Sequence, residues 1–265
     1  MPLPKGSKPL FMQHKEVLDM AVEAYNRIDF IESDPISIPH GFKSNLDKEV
    51  SGLMTALISW GNRKAIISTA KKWMDCMDQS PYDFVREASV SEIKQLSKFI
   101  YRTLNPEDIQ TLISLLRSAY EEYDSLESYF LPGFQKGDAM EAVVSFRELF
   151  LRSGYPPRFA KHIANPNEGS AAKRINMFLR WMVRKDDRGV DFGIWQRIPM
   201  SKLCIPLDVH SGNTAREFGL LNRRNDDAKA VKELDLNLRL LDPNDPVKYD
   251  FALFGLGVND KKPII

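Results

Sequence analysis

Residues 164–187 read ANPNEGSAAKRINMFLRWMVRKDD and contain both a turn and the start of a helix. The first seven positions hold a proline, two asparagines and a glycine, which are residues that favour turns. The apolar residues that follow recur at helical spacing. The pattern therefore predicts a turn that leads into a helix over residues 170–185, with Lys173 in its first turn.

Apolar residues recur at helical spacing over nearly the whole chain. The sustained alternation of apolar and polar residues that is typical of strands is hard to find. The clearest stripe contains Ile109, Leu112, Ile113, Leu116, Ala119, Tyr120 and Tyr123. We therefore predict an all-α fold. Helices are expected at residues 12–27, 46–60, 62–78, 90–99, 106–122, 138–152, 170–185, 209–218, 226–240 and 246–256.

Overall composition excludes several classes of protein. The chain has 265 residues, 37 Lys and Arg against 36 Asp and Glu, a formal net charge of +1 and 43% hydrophobic residues. This balance argues against an intrinsically disordered chain and against a polycationic nucleic-acid binder. A chain of this length can bury a substantial core, in one large or two modest domains.

The sequence gives no sign of a membrane span, a metal site or a cofactor. No window approaches 18 consecutive apolar residues. Cys76 and Cys204 are too few for a four-cysteine zinc or iron–sulfur site, and we expect reduced thiols in a cytoplasmic protein. The Asp-x-His spacing that ends at His210 has no second cluster beside it. We therefore predict no metal, no cofactor and no membrane partner.

Charge is unevenly distributed along the chain. Residues 158–188 hold 8 Lys and Arg against 3 Asp and Glu, a net +5, whereas residues 117–141 hold 2 basic and 6 acidic residues, a net −4. A positive face on the folded protein would explain this asymmetry, and so would scattered, solvated charges. The residues that fit either phosphate contacts or a solvated helical face are Arg180, Arg184, Lys185 and Arg188.

Lys173 and Asp208 are the main candidates for chemistry. A partly buried lysine at a helix N-terminus is biased toward the neutral amine that Schiff-base formation requires, although an ordinary surface lysine also fits this position. Asp208, within Pro206–His210, is placed to cap the next helix. A capping carboxylate inside a cleft can in addition stabilise developing positive charge. The residues alone do not decide between nucleophile and surface residue for Lys173, or between charge stabilisation and capping for Asp208.

Three segments together resemble the helix-hairpin-helix superfamily of base-excision DNA glycosylases. They are the turn and helix around Lys173, the stretch Pro206–His210, and residues 247–258, VKYDFALFGLGV. The separation of 35 residues between the lysine and the aspartate is most similar to the archaeal 8-oxoguanine glycosylase branch. With residues 30–40, FIESDPISIPH, and 54–64, MTALISWGNRK, the chain resembles a bacterial family of unknown function near that superfamily.

The resemblance implies a fold and a partner. Residues 1–265 would form a single two-lobed unit with a helix-hairpin-helix motif and a cleft between the lobes. One lobe would comprise residues 46–152, and the other residues 1–45 with 153–265. The implied partner is double-stranded DNA that contains a lesion such as an oxidised purine.

The same resemblance implies roles for individual residues. Lys173 matches the nucleophile of bifunctional glycosylases, which attacks the sugar C1′, and Asp208 matches the carboxylate that assists departure of the base. Residues 164–170 match the hairpin whose backbone amides hold a DNA phosphate. The DNA contacts implied here are Asn167, Gly169, Ser170, Arg174 and His210.

The hairpin differs from the superfamily pattern of an apolar residue followed by Pro-Gly-x-Gly. Gly169 is its only glycine, although Asn165 or Asn167 could take a positive φ angle, so the turn is not forbidden. Glu168 also places a negative charge beside the expected phosphate. Both differences count against a firm grip on DNA through this hairpin.

Residues 57–64, LISWGNRK, form a second candidate contact with DNA. A helix is predicted to break at Gly61, and the resemblance makes Asn62 and Arg63 wedge residues beside an everted base, with Trp60 as a further contact. The other interpretation is a helix–turn–helix joint with Trp60 in the core.

Two further segments are interpreted as structural. Residues 34–40, DPISIPH, are expected to be an extended connector because their two prolines disfavour helix. Residues 254–257, FGLG, are expected to cap a helix and not to bind phosphate, because no strand precedes them.

Three functions are compatible with these observations. We favour a DNA repair glycosylase that removes a damaged base, with abasic-site lyase activity through Lys173. The atypical hairpin favours instead a noncatalytic DNA- or nucleoprotein-binding module with the same fold. In the third, a helical interaction protein, Lys173 is a surface residue and Asp208 only a cap. The first function predicts that both side chains face one concave site.

Overall fold

Helices make up the regular secondary structure of the computed structural model, which describes residues 9–152 and 154–258. These two stretches contain no β-strand, and the predicted all-α class is confirmed. Among the helices described there, none is both long enough and apolar enough to cross a bilayer.

The division into lobes stays a prediction. Residues 1–8, Ser153 and residues 259–265 belong to the predicted lobe of residues 1–45 and 153–265, and they lie outside the described part of the chain.

Within residues 9–152 and 154–258 there are fourteen α-helices. They are α1 (Lys15–Tyr25), α2 (Asp29–Glu32), α3 (Ser37–His40), α4 (Asn45–Ile58), α5 (Arg63–Cys76), α6 (Pro81–Glu87), α7 (Val90–Leu96), α8 (Pro106–Glu122), α9 (Glu127–Lys136), α10 (Ala139–Phe150), α11 (Lys173–Val183), α12 (Val209–Glu217), α13 (Ala228–Leu241) and α14 (Tyr249–Val258). Short 3₁₀ helices occur at Leu10–His14, Pro157–His162, Pro166–Glu168, Met200–Lys202 and Pro246–Lys248. All ten predicted helices are present, and each end lies within three residues of its predicted position.

Helix α8 shows why the helical pattern could be read from the sequence. Six of the seven residues in its predicted stripe are buried: Ile109, Leu112, Ile113, Leu116, Ala119 and Tyr120. The seventh, Tyr123, is 37% exposed because it follows the last helical residue and has extended backbone. Asn105 and Asp108 form a capping box that fixes the start of the helix.

Helix α9 was not predicted, because it contains Pro132 and Gly133 and is followed by Gly137, which are residues that favour turns. The helix continues through Pro132 and ends before Gly137. Gly133 packs so closely on α10 that a Cβ atom there would overlap the backbone of Ala142. Pro132 has no N–H group and therefore removes one intrahelical hydrogen bond. Gly133 permits the close packing of α9 on α10.

The segment of residues 34–40 is not extended, so that prediction is also wrong. Ser37–His40 forms a helical turn in which Pro39 is the third residue. A proline in the first turn of a helix removes no intrahelical hydrogen bond, because the N–H groups there have no partner. Ile36 and Ile38 are buried, so the segment is still a packed connector.

Residues 254–257 lie inside α14, and the predicted helix cap is wrong. Gly255 packs on the ring of Tyr25 in α1. A Cβ atom on Gly257 would lie 2.9 Å from the carbonyl oxygen of His210 in α12. The two glycines therefore allow α14 to pack closely on α1 and on α12.

Helix α4 places the first turn of α11. All residues from Glu49 to Ile58 are buried. Gly52 lets α11 approach, since a Cβ atom there would lie 2.9 Å from Cε of Met182. Arg174, in the first turn of α11, donates a hydrogen bond to the backbone carbonyl of Leu57. The start of α11 therefore lies beside the end of α4.

Asp235 in α13 provides a test of the core by pH. It is buried, and its Oδ1 accepts a hydrogen bond from the Ile205 N–H at 2.9 Å. Burial raises the pKa of Asp235 to about 7, from 3.8 for an exposed aspartate. The folded protein thus holds this proton more tightly than the unfolded chain, and stability falls from about pH 4 to about pH 7, by at most about 1.4 kcal/mol per pH unit.

Asp235→Asn cannot titrate, so it removes this part of the pH dependence. Urea unfolding at pH 5 and pH 8 measures the effect. We expect the unfolding free energy of the variant minus that of wild type to be larger at pH 8 than at pH 5. An equal difference at the two pH values would show that Asp235 does not titrate as its burial predicts.

Candidate active site

Lys173 is the first residue of α11, and the loop before it turns at two residues with left-handed backbone. Gly169 has a φ of +90° and Ala172 a φ of +51°. Asn165 has a φ of −121°, and neither it nor Asn167 supplies the positive φ angle that the sequence allowed. A single glycine and an alanine make the turn, after which the chain enters the helix at the lysine.

Asp208 is the N-cap of α12. Its carboxylate accepts a hydrogen bond from the Ser211 N–H at 3.0 Å, and Ser211 Oγ accepts one from the Asp208 N–H at 3.1 Å. Burial alone would raise the pKa of Asp208, but the charge of Lys173 and the hydrogen bonds from Ser211 hold that pKa below its usual value. The cap fixes the direction of an ionised carboxylate.

The two candidate residues lie in direct contact although 35 positions separate them. Lys173 Nζ is 3.0 Å from Asp208 Oδ2, and their side chains are 36% and 15% exposed. The predicted convergence is confirmed. Their catalytic roles stay predictions, as does the alternative of an ordinary surface lysine beside a helix cap.

The pair lies at a cavity of about 560 Å³. Its apolar lining includes Phe30, Pro35, Ile66, Met177, Pro206, Phe251 and Phe254. Charged side chains of Asp34, Arg63, Arg180 and Asp250 also line it. A concave site lined by apolar and aromatic side chains with a few polar groups is typical of small-molecule binding.

A groove of about 890 Å³ runs from the same point along residues 164–170. Trp60, Lys173 and Asp208 line both the groove and the cavity. Residues of this segment on the groove include Glu168, Gly169 and Ser170. Lys173 and Asp208 therefore lie where the cavity meets the groove.

The family described as "Protein of unknown function (DUF2400)" matches residues 34–259. The chain belongs to this family. Its match includes the whole lining of the groove and all of the cavity lining except Phe30. Searches of curated proteins and of solved structures found no significant match.

Three predicted DNA contacts line the cavity. Trp60 is 39% exposed, so the interpretation that places it in the core is wrong. The guanidinium of Arg63 lies over the ring of Phe254, 5.2 Å from its centroid, and the ring of His210 meets the same phenyl ring edge-on. These side chains are at the site, and their contact with DNA stays a prediction.

The other predicted DNA contacts differ in their surroundings. Asn62 caps α5, since its Oδ1 accepts a hydrogen bond from the Ala65 N–H at 3.0 Å. Asn167 is exposed and lines neither depression. Arg174 lines the groove, but its guanidinium donates to two backbone carbonyls, one of them that of His162 at 3.3 Å. Asn62 Oδ1 and the guanidinium of Arg174 thus already hold backbone groups of the protein.

The basic stretch of residues 158–188 does not form a face of free cations. Its ion pairs are Arg158–Asp108, Lys173–Asp208, Arg180 with Asp191 and Asp250, Arg184 with Asp186, Asp191 and Asp245, and Arg188–Glu23. In the described part of this stretch, two basic side chains have no ion-pair or hydrogen-bond partner, those of Lys161 and Lys185.

Arg180 and Arg184 are buried beneath the cavity, at 4% and 2% exposure. Both interpretations offered for them, phosphate contact and a solvated face, are therefore wrong. Burial would lower the pKa of Arg180, but the carboxylates of Asp191 and Asp250 raise it above its ordinary value. The two guanidiniums also stack on Phe251, at 4.4 and 5.4 Å from its centroid, so this network supports the cavity wall.

Sequence reasoning missed Asp34 and Asp250 as site residues. Asp34 is 9% exposed, accepts a hydrogen bond from the Ile36 N–H at 3.1 Å, and has its pKa raised by burial. Burial raises the pKa of Asp250 to about 6, against the opposing effect of Arg180. Both lie in segments quoted above, but helical spacing does not show which residues face a cavity formed between several helices.

Carboxylates in the cavity do not form a metal site. In the described part of the chain, no group of three or more His, Cys, Asp or Glu side chains is placed to hold a metal ion.

Proposed function

We propose that this protein is a DNA glycosylase that removes a damaged base from double-stranded DNA and cleaves the strand by lyase chemistry at Lys173. The proposal includes a two-lobed helix-hairpin-helix architecture, with residues 164–170 as the hairpin and α11 as the helix that follows. The main support is the 3.0 Å contact between Lys173 Nζ and Asp208 Oδ2 at the junction of cavity and groove.

The two side chains would supply complementary parts of the reaction. As the glycosidic bond breaks and the base leaves with its electron pair, positive charge develops on the sugar, and ionised Asp208 stabilises it. Attack on C1′ needs a lone pair on Lys173 Nζ. Once the base has left, the ammonium therefore passes a proton to Asp208 Oδ2, which lies 3.0 Å away, and the neutral amine attacks C1′.

Later steps follow from ordinary amine chemistry. After the bond between C1′ and Nζ forms, one of the two protons on Nζ moves to the ring oxygen as the bond between C1′ and that oxygen breaks, and an iminium results. Loss of a proton from C2′ then expels the 3′ phosphate by β-elimination. Hydrolysis of the iminium returns Lys173 as a free amine.

The cavity supports the proposal by its size and lining. An enzyme that acts on a base in a duplex must extrude that base into a pocket. The volume of about 560 Å³ lies within the range of roughly 300–1,000 Å³ for small-molecule sites. Phe30, Phe251 and Phe254 offer apolar surfaces to a planar ring, and Asp34 and Arg63 offer polar contacts.

Borohydride trapping tests the proposal. The protein is incubated with a duplex that contains one abasic site, with and without sodium borohydride, and with an intact duplex as control. We expect a covalent protein–DNA complex only with the abasic duplex and borohydride, because borohydride reduces the iminium to a stable amine. Base release from a panel of lesion duplexes then identifies the substrate. No complex on any duplex would contradict the lyase proposal.

A noncatalytic DNA- or nucleoprotein-binding module is the second candidate. It is favoured by the carboxylates of Glu168 and Asp226 on the groove, which oppose a close phosphate. DNA binding without trapping and without base release would support this function over the first.

Salt dependence of binding follows from the small number of free cations near the groove. Each neutralised phosphate contributes about −0.9 to the slope of log K against log salt. With Lys161 as the unpaired basic residue of the hairpin stretch on the groove, we expect a slope of about −3 or shallower. Lys161→Gln should make the slope shallower by about 1. Fluorescence anisotropy at several salt concentrations measures this, and a slope steeper than about −5 would contradict it.

A further inference from the structure

Trp60 differs from the other tryptophans of the chain. The chain has four, and Trp73, Trp181 and Trp195 are at most 3% exposed, whereas Trp60 is 39% exposed. Trp60 also lies at the junction of the cavity and the groove, next to Lys173. A large aromatic ring open to solvent at this position has no role in the core.

Arg102 covers part of this indole. Its guanidinium carbon lies 4.4 Å from the centroid of the Trp60 ring. Arg102 is exposed, and it forms no hydrogen bond or ion pair with any residue that the structure describes. Its N–H donors are therefore free for acceptor atoms outside the protein, while stacking on the indole holds the guanidinium in place.

The local backbone is built to hold these two side chains together. Tyr101 Oη donates a hydrogen bond to the backbone carbonyl of Trp60 at 2.9 Å. Arg102 has a left-handed φ of +51°, in a turn closed by a 2.9 Å hydrogen bond from the Leu104 N–H to the Tyr101 carbonyl. Gly61 has a φ of +96°, and a Cβ atom there would overlap the Arg102 guanidinium.

We propose that Trp60 and Arg102 form a stacking platform for an unpaired nucleobase at the rim of the site. The base would stack on the exposed part of the indole, and the guanidinium would donate hydrogen bonds to acceptors of the same nucleic acid. This inference rests on the proposed function for the identity of the partner. It assigns to Trp60 and Arg102 the contact that the sequence placed on Asn62 and Arg63, whose side chains are engaged with α5 and with Phe254.

Binding to a duplex with a tetrahydrofuran abasic analogue tests the platform without chemistry, because this analogue cannot form an iminium. We expect Trp60→Ala and Arg102→Gln to weaken this binding roughly fivefold or more, since stacking on an aromatic side chain is lost or loosened. Affinity for an intact duplex should change less than about twofold. Arg102→Lys should behave like Arg102→Gln, because lysine keeps the charge but not the planar stacked group.

Arg86→Gln is the matched control, since Arg86 is exposed but lines neither the cavity nor the groove. Urea unfolding confirms that each variant is folded. Iodide quenching of tryptophan fluorescence gives a second readout, because Trp60 is the exposed tryptophan: the abasic duplex should protect it in wild type. Wild-type affinity of Trp60→Ala and Arg102→Gln for the abasic duplex, or no protection from iodide, would overturn the platform.

The outcomes separate this inference from the proposed function. If wild type is trapped by borohydride but the platform variants bind the abasic analogue normally, only the platform is wrong. If wild type is never trapped but the platform variants lose their preference for the abasic analogue, the platform stands and the enzyme proposal is wrong.

Discussion

Lys173→Gln is expected to abolish borohydride trapping and to slow strand cleavage at an abasic site by roughly 10³-fold or more, the scale expected when a covalent nucleophile is lost. Glutamine has similar length but no amine, so it cannot form an iminium. Gel analysis of the trapped complex and of the cleaved strand measures both effects.

Two control variants make this test specific. Lys161→Gln removes an unpaired lysine from the same groove and, at a DNA concentration that saturates both proteins, should be trapped like wild type. Lys173→Arg keeps a cation beside Asp208 but removes the nucleophile, so it should fold normally and still fail to be trapped. Trapping of Lys173→Gln at the wild-type level would show that another amine carries the reaction.

Arg180→Met is expected to lower the free energy of unfolding by about 3–5 kcal/mol, because it leaves buried carboxylates without their counter-ion. Arg180 is 4% exposed and bridges Asp191, at 3.2 Å, and Asp250. Asp191 would keep a contact with Arg184, but Asp250 would lose its ion-pair partner. Urea unfolding of the variant and of wild type measures the loss.

Arg188→Met is the matched control for the buried network. Arg188 forms its ion pair with Glu23 at the surface, where the two side chains are 39% and 62% exposed. Solvent and salt screen such a pair, so its removal should cost about 1 kcal/mol or less. Equal losses for the two variants would show that burial does not determine the contribution of Arg180.

The fold class and most helices could be predicted because helical spacing of apolar residues is a local property. Helix α8, for example, carries its own apolar stripe and the capping box of Asn105 and Asp108. Helix α9 escaped prediction because Pro132 and Gly133 are turn signals in sequence. Only its packing on Ala142 explains why the helix continues through them.

The site was predictable only in part, because contacts between helices are not a local property of the sequence. Lys173 and Asp208 each begin a helix after a turn, which is visible in sequence, and their 3.0 Å contact follows from how those helices pack. A count of charges could not show that Arg180 and Arg184 are buried among aspartates. Nor could it show that Arg102, forty-two residues after Trp60, stacks on that indole.

The identity of the amine that is joined to DNA tests the central claim most directly. The trapped complex is digested with protease and nuclease, and mass spectrometry locates the modified residue. The account predicts that the sugar remnant is attached to Lys173. Attachment to a different amine, such as that of Lys161, would contradict it.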